Sequence, residues 1–217
     1  MGQDTAGADA TPSGEGPARR RTRLAPEVRR ALILDATAEI ILGHGLAAVT
    51  IERVARQAGV SKGLIYTYFQ TQEGLLAALL QREQAELRER GMASALRAES
   101  FEALIRQTTQ LYLEQTRDRG AMISELLAAP AVQDLMQEDI RNDQERTFRY
   151  FVRAVRREFS LPLPLAIAAI ELLSKVTGQA GLLVARRQME VGEATDLCVD
   201  LILGGLSRID PRARPRS

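Results

Sequence analysis

Apolar residues recur at helical spacing along nearly the whole chain, and nothing in it reads as a strand. Ile33, Ala36, Thr37, Ile40 and Ile41 fall at i, i+3, i+4, i+7 and i+8, the stripe of an amphipathic helix. Pro26 suits the first turn of that helix, Glu27 suits its positive end, and Gly43 and Gly45 are expected to close it. Thr50 is the expected cap of a second, two-turn helix with Ile51, Val54, Ala55 and Ala58 inward. Gly59 then permits a sharp turn, Val60 plugs the core and Ser61 caps a third short helix, in which Ile65 and Phe69 share the inner face. Thr71 caps a fourth, whose leucines at 75, 76, 79 and 80 carry it to about Arg97.

Helical spacing continues to the C-terminus. Ser100 is expected to cap a run to about Arg119, followed by pieces over Met122 to Ala129, Val132 to Phe159, Pro164 to Gln188 and Glu193 to Ile209. Gly120, Pro130, the segment Leu161 to Pro164 and Gly192 are the predicted breaks. The fold class that follows is all-α: a three-helix N-terminal head over 26–86 and a larger helical regulatory and dimerisation bundle over 87–217. Residues 1–25 are small, polar and turn-forming before an arginine cluster at 19–23, the composition of a disordered basic arm, and the closing "DPRARPRS" is expected to fray. The most apolar run, Leu161 to Leu173, is broken by two prolines and Glu171, so no membrane span or membrane partner is expected, and a cytoplasmic location is.

Charge and chemistry narrow the function. The formal charge of +1 gives no whole-molecule attraction to nucleic acid, but the stretch from Arg19 to Lys62 carries nine basic residues against four acids. One cysteine, Cys198, allows no internal disulfide, and one histidine, His44, allows no multi-imidazole centre, so neither a metal nor a cofactor is expected. His44 between two glycines reads as a surface or capping side chain, and Cys198 in "LCVDLILGGL" reads as buried. No GxSxG, HExxH, phosphate-binding loop or dinucleotide glycine pattern is present, and the chain is not expected to be an enzyme.

A longer helix followed by two short ones joined through a glycine turn makes a helix-turn-helix, whose second short helix enters the major groove. In "AGVSKGLIYTYF" that recognition helix leaves Lys62, Gly63, Leu64, Tyr66, Thr67 and Tyr68 variously outward. Ser61 and the free N–H groups of the first turn favour an anion, and Gly63 lets a phosphate approach without a Cβ. Lys62 suits a phosphate or a guanine edge, the Tyr66 and Tyr68 hydroxyls suit phosphates, and Leu64 suits a thymine methyl.

"TIERVARQAGVSKGLIYTYF", with "ILDATAEIILGHG" before it and "EGLL" after it, resembles the tetracycline-repressor (TetR) family of transcriptional regulators. The resemblance covers residues 27 to about 80; beyond that only helix length and pattern agree. It implies a homodimeric repressor that leaves a palindromic double-stranded DNA operator when a small-molecule inducer binds the larger domain. By matching positions it implies DNA contacts for Thr50, Ser61, Lys62, Gly63, Tyr66, Thr67 and Tyr68. Two positions depart from the pattern. Gln72 stands where the family usually has a phosphate-holding lysine, so a neutral hydrogen bond and weaker backbone attraction are expected there, and Thr37 replaces a common alanine.

Small residues in the last two long helices, Ala166, Ala169, Gly178, Gly181, Gly204 and Gly205 among them, suit close packing, and those helices are the expected four-helix homodimer interface. Met92, Leu96, Leu104, Tyr112, Met122, Leu126, Phe148, Phe151 and Val155 are the expected lining of a ligand pocket, as soft and aromatic side chains. The competing reading is a helical module that uses the same head to bind a protein partner without sequence-specific DNA binding.

Overall fold

The computed structural model describes residues 25–210, and all of its regular structure among these is helical. The expected arm over 1–25 and the last residues, 211–217, lie outside the described residues apart from Ala25. Eight α-helices follow in order: α1 (Pro26–His44), α2 (Ile51–Ala58), α3 (Lys62–Phe69), α4 (Gln72–Arg97), α5 (Phe101–Ala128), α6 (Pro130–Phe159), α7 (Leu163–Ala185) and α8 (Val191–Ile209). A 3-10 turn, Leu46–Ala48, joins α1 to α2.

The caps expected from the sequence form. Hydroxyls of Thr50, Ser61, Thr71 and Ser100 accept hydrogen bonds from the backbone N–H of Arg53, Leu64, Gly74 and Ala103, satisfying donors that a helix start leaves unpaired. Pro26 and Pro130 open their helices. Gly45 and Gly59 take positive φ, 79° and 66°, and so turn the chain out of α1 and α2. Gly43 lies inside α1.

Two expected breaks are absent. α5 is continuous through Gly120, so the separate piece from Met122 to Ala129 is the last two turns of one 28-residue helix. A mid-helix glycine costs only about 1 kcal/mol, and here buried side chains on both sides, Leu113 before it and Met122 and Leu126 after it, hold the axis. Gly192 falls within the first turn of α8, and the chain turns earlier, around Arg187 at φ 56°.

The apolar side chains collect into two cores. One gathers Ile33, Ile40, Val54, Ile65, Phe69, Leu75 and Leu79 from α1 to α4, and is completed by Met122 and Leu126 of α5 and Val132 and Met136 of α6. The other joins Leu113, Val155, Phe159, Ala166, Val184, Cys198 and Leu206 across α5 to α8. α5 therefore runs through both.

α7 is the helix expected from Pro164 to Gln188, beginning one residue earlier and ending sooner. It continues past Leu173 to Ala185, and with a mean hydropathy of 1.4 over its best window it is long and apolar enough to cross a membrane. One side of it, including Ala166, Ala169, Ile170, Ala180 and Val184, is nonetheless packed in the second core against α5, α6 and α8.

Candidate nucleic-acid interface

α3 is anchored by two residues and open elsewhere. Ile65 and Phe69, one turn apart, are buried in the first core, and the Arg30 guanidinium lies 5.6 Å from the centre of the Phe69 ring. α2 is fixed beneath it by Val54 and Ala55, and by a bond from the Gln57 side-chain amide to Glu39 of α1 at 2.8 Å. This anchoring turns Ser61, Lys62, Gly63, Tyr66 and Thr67 to the surface, with Tyr66 51% exposed. Leu64 and Tyr68 are half-buried, and the Tyr68 ring leans on the core. Thr50 is exposed at the start of α2.

Several of these groups already have partners. The Thr50 and Ser61 hydroxyls serve their helix starts, and the Thr67 hydroxyl donates to the Gly63 carbonyl at 2.9 Å. Lys62 Nζ lies 2.5 Å from Glu52 Oε1, a pair that holds the Glu52 carboxyl below the usual carboxylate range through their hydrogen bond. The Gln72 side-chain amide donates to the Val49 carbonyl at 3.1 Å, tying the start of α4 to the loop before α2. That bond gives Gln72 an internal role that sequence pattern did not reveal, because it spans 23 residues. Thr37, the other departure from the resemblance, turns its hydroxyl onto the Ile33 carbonyl at 2.8 Å and so enters the core with no polar group unpaired.

α4 connects this surface to the rest of the molecule. It begins three residues after α3 ends, through Gln70 in the unfavourable positive-φ region (53°). Arg82 of α4 bonds Asp35 of α1 at 2.6 Å and its buried neighbour Glu83 at 3.2 Å. The Gln115 amide of α5 donates to the Glu83 carbonyl at 3.0 Å, and Arg88 pairs with Asp143 of α6. From α5, Glu125 Oε2 accepts the Leu46 N–H at 2.6 Å, a direct link to the turn between α1 and α2. Neither Arg82 nor Glu125 carries a sequence motif; both matter through partners 47 and 79 residues away.

The nine expected pocket residues are not brought together. Met122 and Leu126 belong to the first core, whereas Val155 is buried in the second, against which Tyr112, Phe148 and Phe151 are packed. Leu104 is buried, and Met92 and Leu96 face solvent, Leu96 with 82% of its surface exposed. Helical spacing sets which residues share a face of one helix, but not which neighbour that face meets, and here the neighbours differ. A cavity of about 400 Å³ lies instead between α5 and the α7–α8 connection, lined by Arg117, Asp118, Val184, Arg187, Met189 and Glu190 among others. It shares no residue with the expected nine.

The fold and its exposed short helix define a helix-turn-helix head on a helical body. Residues 33–79 match the family described as bacterial regulatory proteins, tetR family. Over those residues the chain is similar to the TetR family. Over 62 residues it is 42% identical to the HTH-type transcriptional regulator BetI of Escherichia coli strains; that stretch is 29% of this chain and 32% of BetI, so the chain matches about a third of the length of these curated relatives. A TetR-like transcriptional regulator from Rhodococcus sp. RHA1 superposes with a TM-score of 0.68 at 22% identity, over 85% of this chain and 99% of that one. The transcriptional regulator FadR from Bacillus subtilis, solved in complex with stearoyl-CoA, gives 0.65 at 16% identity, over 81% and 98%. At these identities the two structures establish a common fold.

Proposed function

We propose that the protein is a transcriptional repressor that binds a palindromic double-stranded DNA operator as a homodimer and is released by a small-molecule inducer. The observation that carries this reading is α3 itself: Ile65 and Phe69 lock it into the core while Lys62, Gly63, Tyr66 and Thr67 stand on its open side. A rigid helix with one anchored and one polar, accessible side is what major-groove docking requires. Ser61, Lys62, Gly63, Tyr66, Thr67, Tyr68 and Thr50 are assigned to DNA, with Leu64 at its half-buried edge. Gln72 keeps one amide hydrogen for a phosphate beyond the one given to Val49.

The dimer forms through α7 and α8. Leu165, Leu172 and Leu182 on α7 and Leu197 and Leu201 on α8 are exposed, Leu172 at 71%, and two-fold pairing of these helices would cover them. The division of labour is a DNA-binding unit over 26–86 and a ligand-binding and dimerisation unit over 87–217. The complex of FadR with stearoyl-CoA supports a body of this fold accepting a small molecule. An inducer acts only through differential affinity for two arrangements. α4, bonded to α1, α5 and α6, transmits the difference to α3. A repressor of this kind acts in the cytoplasm, where its DNA target lies.

Footprinting on the intergenic DNA flanking the gene tests the reading. Protection of a palindrome with half-sites one helical turn apart, steeply weakened by salt, is the expected result. Equal binding to all sequences, or a monomer at micromolar concentration in sedimentation, would overturn it.

A further inference from the structure

Lys62 is the single cation of α3, and it is held by a residue of the preceding helix. Glu52 stands in the first turn of α2, where a carboxylate favours the helix's positive end without any further partner. It instead reaches across ten residues to the Lys62 ammonium at 2.5 Å, with the two side chains 62% and 55% exposed. The pair is thus on the accessible side of the head, and an exposed pair of this kind is weak enough to be exchanged for another partner.

Two consequences follow from the chemistry of the pair. An ammonium has three hydrogens on a flexible four-carbon stem; Glu52 takes one and biases the stem toward its side of the head, leaving two donors, which suits the O6 and N7 acceptors of a guanine. A phosphate that bonds Lys62 must lie beside the Glu52 carboxylate, an arrangement of like charges. The same carboxylate therefore favours a neutral base edge over a phosphate as the partner of Lys62.

We infer that Glu52 is a specificity-determining residue for DNA, acting through Lys62 to direct it toward a base edge and to penalise sequence-independent phosphate binding. The inference rests on the DNA-binding reading above. The test uses the full chain, a duplex selected by the wild-type protein from a random library, and a random-sequence duplex of equal length, each titrated over a range of salt. Glu52→Gln should bind the random duplex more tightly, with a salt slope steeper by about 0.9, the signature of one more neutralised phosphate. The ratio of selected-site to random-site affinity should fall about tenfold, the discrimination of one well-aimed base contact. In a Lys62→Met background the same Glu52→Gln change should leave that ratio unaltered.

An unchanged ratio in Glu52→Gln, or an equal fall in the presence and absence of Lys62, would overturn the inference while leaving DNA binding intact. Failure of the wild-type chain to prefer any selected duplex would instead remove the function on which it rests. Circular dichroism melts of each variant separate loss of binding from loss of fold.

Discussion

The head and the body bury their apolar residues by different routes. In the head, α2 and α3 have eight residues each, too few to be stable alone, and each is fixed by a hydroxyl cap, a turn and two or three core side chains close in sequence. In the body, helices of 19 to 30 residues meet through contacts far apart in the chain, and only packing decides which faces touch. Local chemistry specifies the first arrangement; assembly specifies the second. α5 belongs to both, since Leu113 lies in the body core and Met122 and Leu126 lie in the head core.

The largest effect expected concerns Cys198, a probe of the body alone. It is 1% exposed, and burial raises its thiol pKa, so at any given pH the folded chain presents less thiolate than the unfolded one. If labelling requires unfolding, whose native-state population is of order 10⁻³ or less, a thiol reagent should react on the order of a thousandfold more slowly with native protein than with protein in urea. Rapid native labelling would mean that the body opens independently of the head.

Next in size is the cost of the shared helix. Leu126→Ala should destabilise the protein by about 2–5 kcal/mol, as buried leucine truncations do, read as a shift in urea denaturation. It should also speed amide exchange at Ile65 and Phe69. Leu113→Ala, on the same helix but in the other core, should carry a similar cost without selectively affecting those amides. Identical exchange patterns for the two variants would erase the distinction between the cores.

That contrast also explains what was legible in the sequence. Thr50, Ser61, Thr71 and Ser100 all cap where expected because a cap depends on three or four neighbouring residues. α3 could be read the same way, from Ile65, Phe69 and the glycine turn before it. The internal bond of Gln72, the Arg82–Asp35 pair and the grouping of Met122 with Ile65 could not, because each joins segments that only the folded chain brings together. The expected pocket residues are dispersed for the same reason. Residue type suggested a lining, but no local rule says that Leu96 near the end of α4 faces solvent while Leu104 in the first turn of α5 is buried.

A smaller effect isolates the joint between α3 and α4. Alanine normally stabilises a helix relative to glycine by about 1 kcal/mol. At Gly74, in the first turn of α4, an added Cβ would sit 2.6 Å from the Phe69 carbonyl oxygen and 3.3 Å from the Thr71 cap. Gly74→Ala should therefore reverse the usual sign and cost about 1–3 kcal/mol, as overpacking does. Gly91→Ala, in the same helix with nothing within 4 Å, should stabilise by about 0.5–1 kcal/mol. Thermal melts of the two variants moving in the same direction would contradict the close approach that fixes α4 against the end of α3.

The smallest effect tests whether α5 and the turn after α1 are joined by more than apolar packing. Glu125 is itself exposed, so its removal leaves no cavity, and what is lost is the acceptor for the Leu46 N–H at the start of the 3-10 turn. A single hydrogen bond of this kind contributes about 1 kcal/mol net, and Glu125→Ala should lower stability by about that amount. The more telling readout is local: exchange of the Leu46 amide should accelerate in Glu125→Ala and recover in Glu125→Gln, whose amide oxygen can still accept. Because Glu125 shares two turns of α5 with Met122 and Leu126, a ligand that shifted α5 would move this acceptor and the head core together. A Leu46 amide insensitive to residue 125 would leave apolar contact as the route from α5 to the turn between α1 and α2.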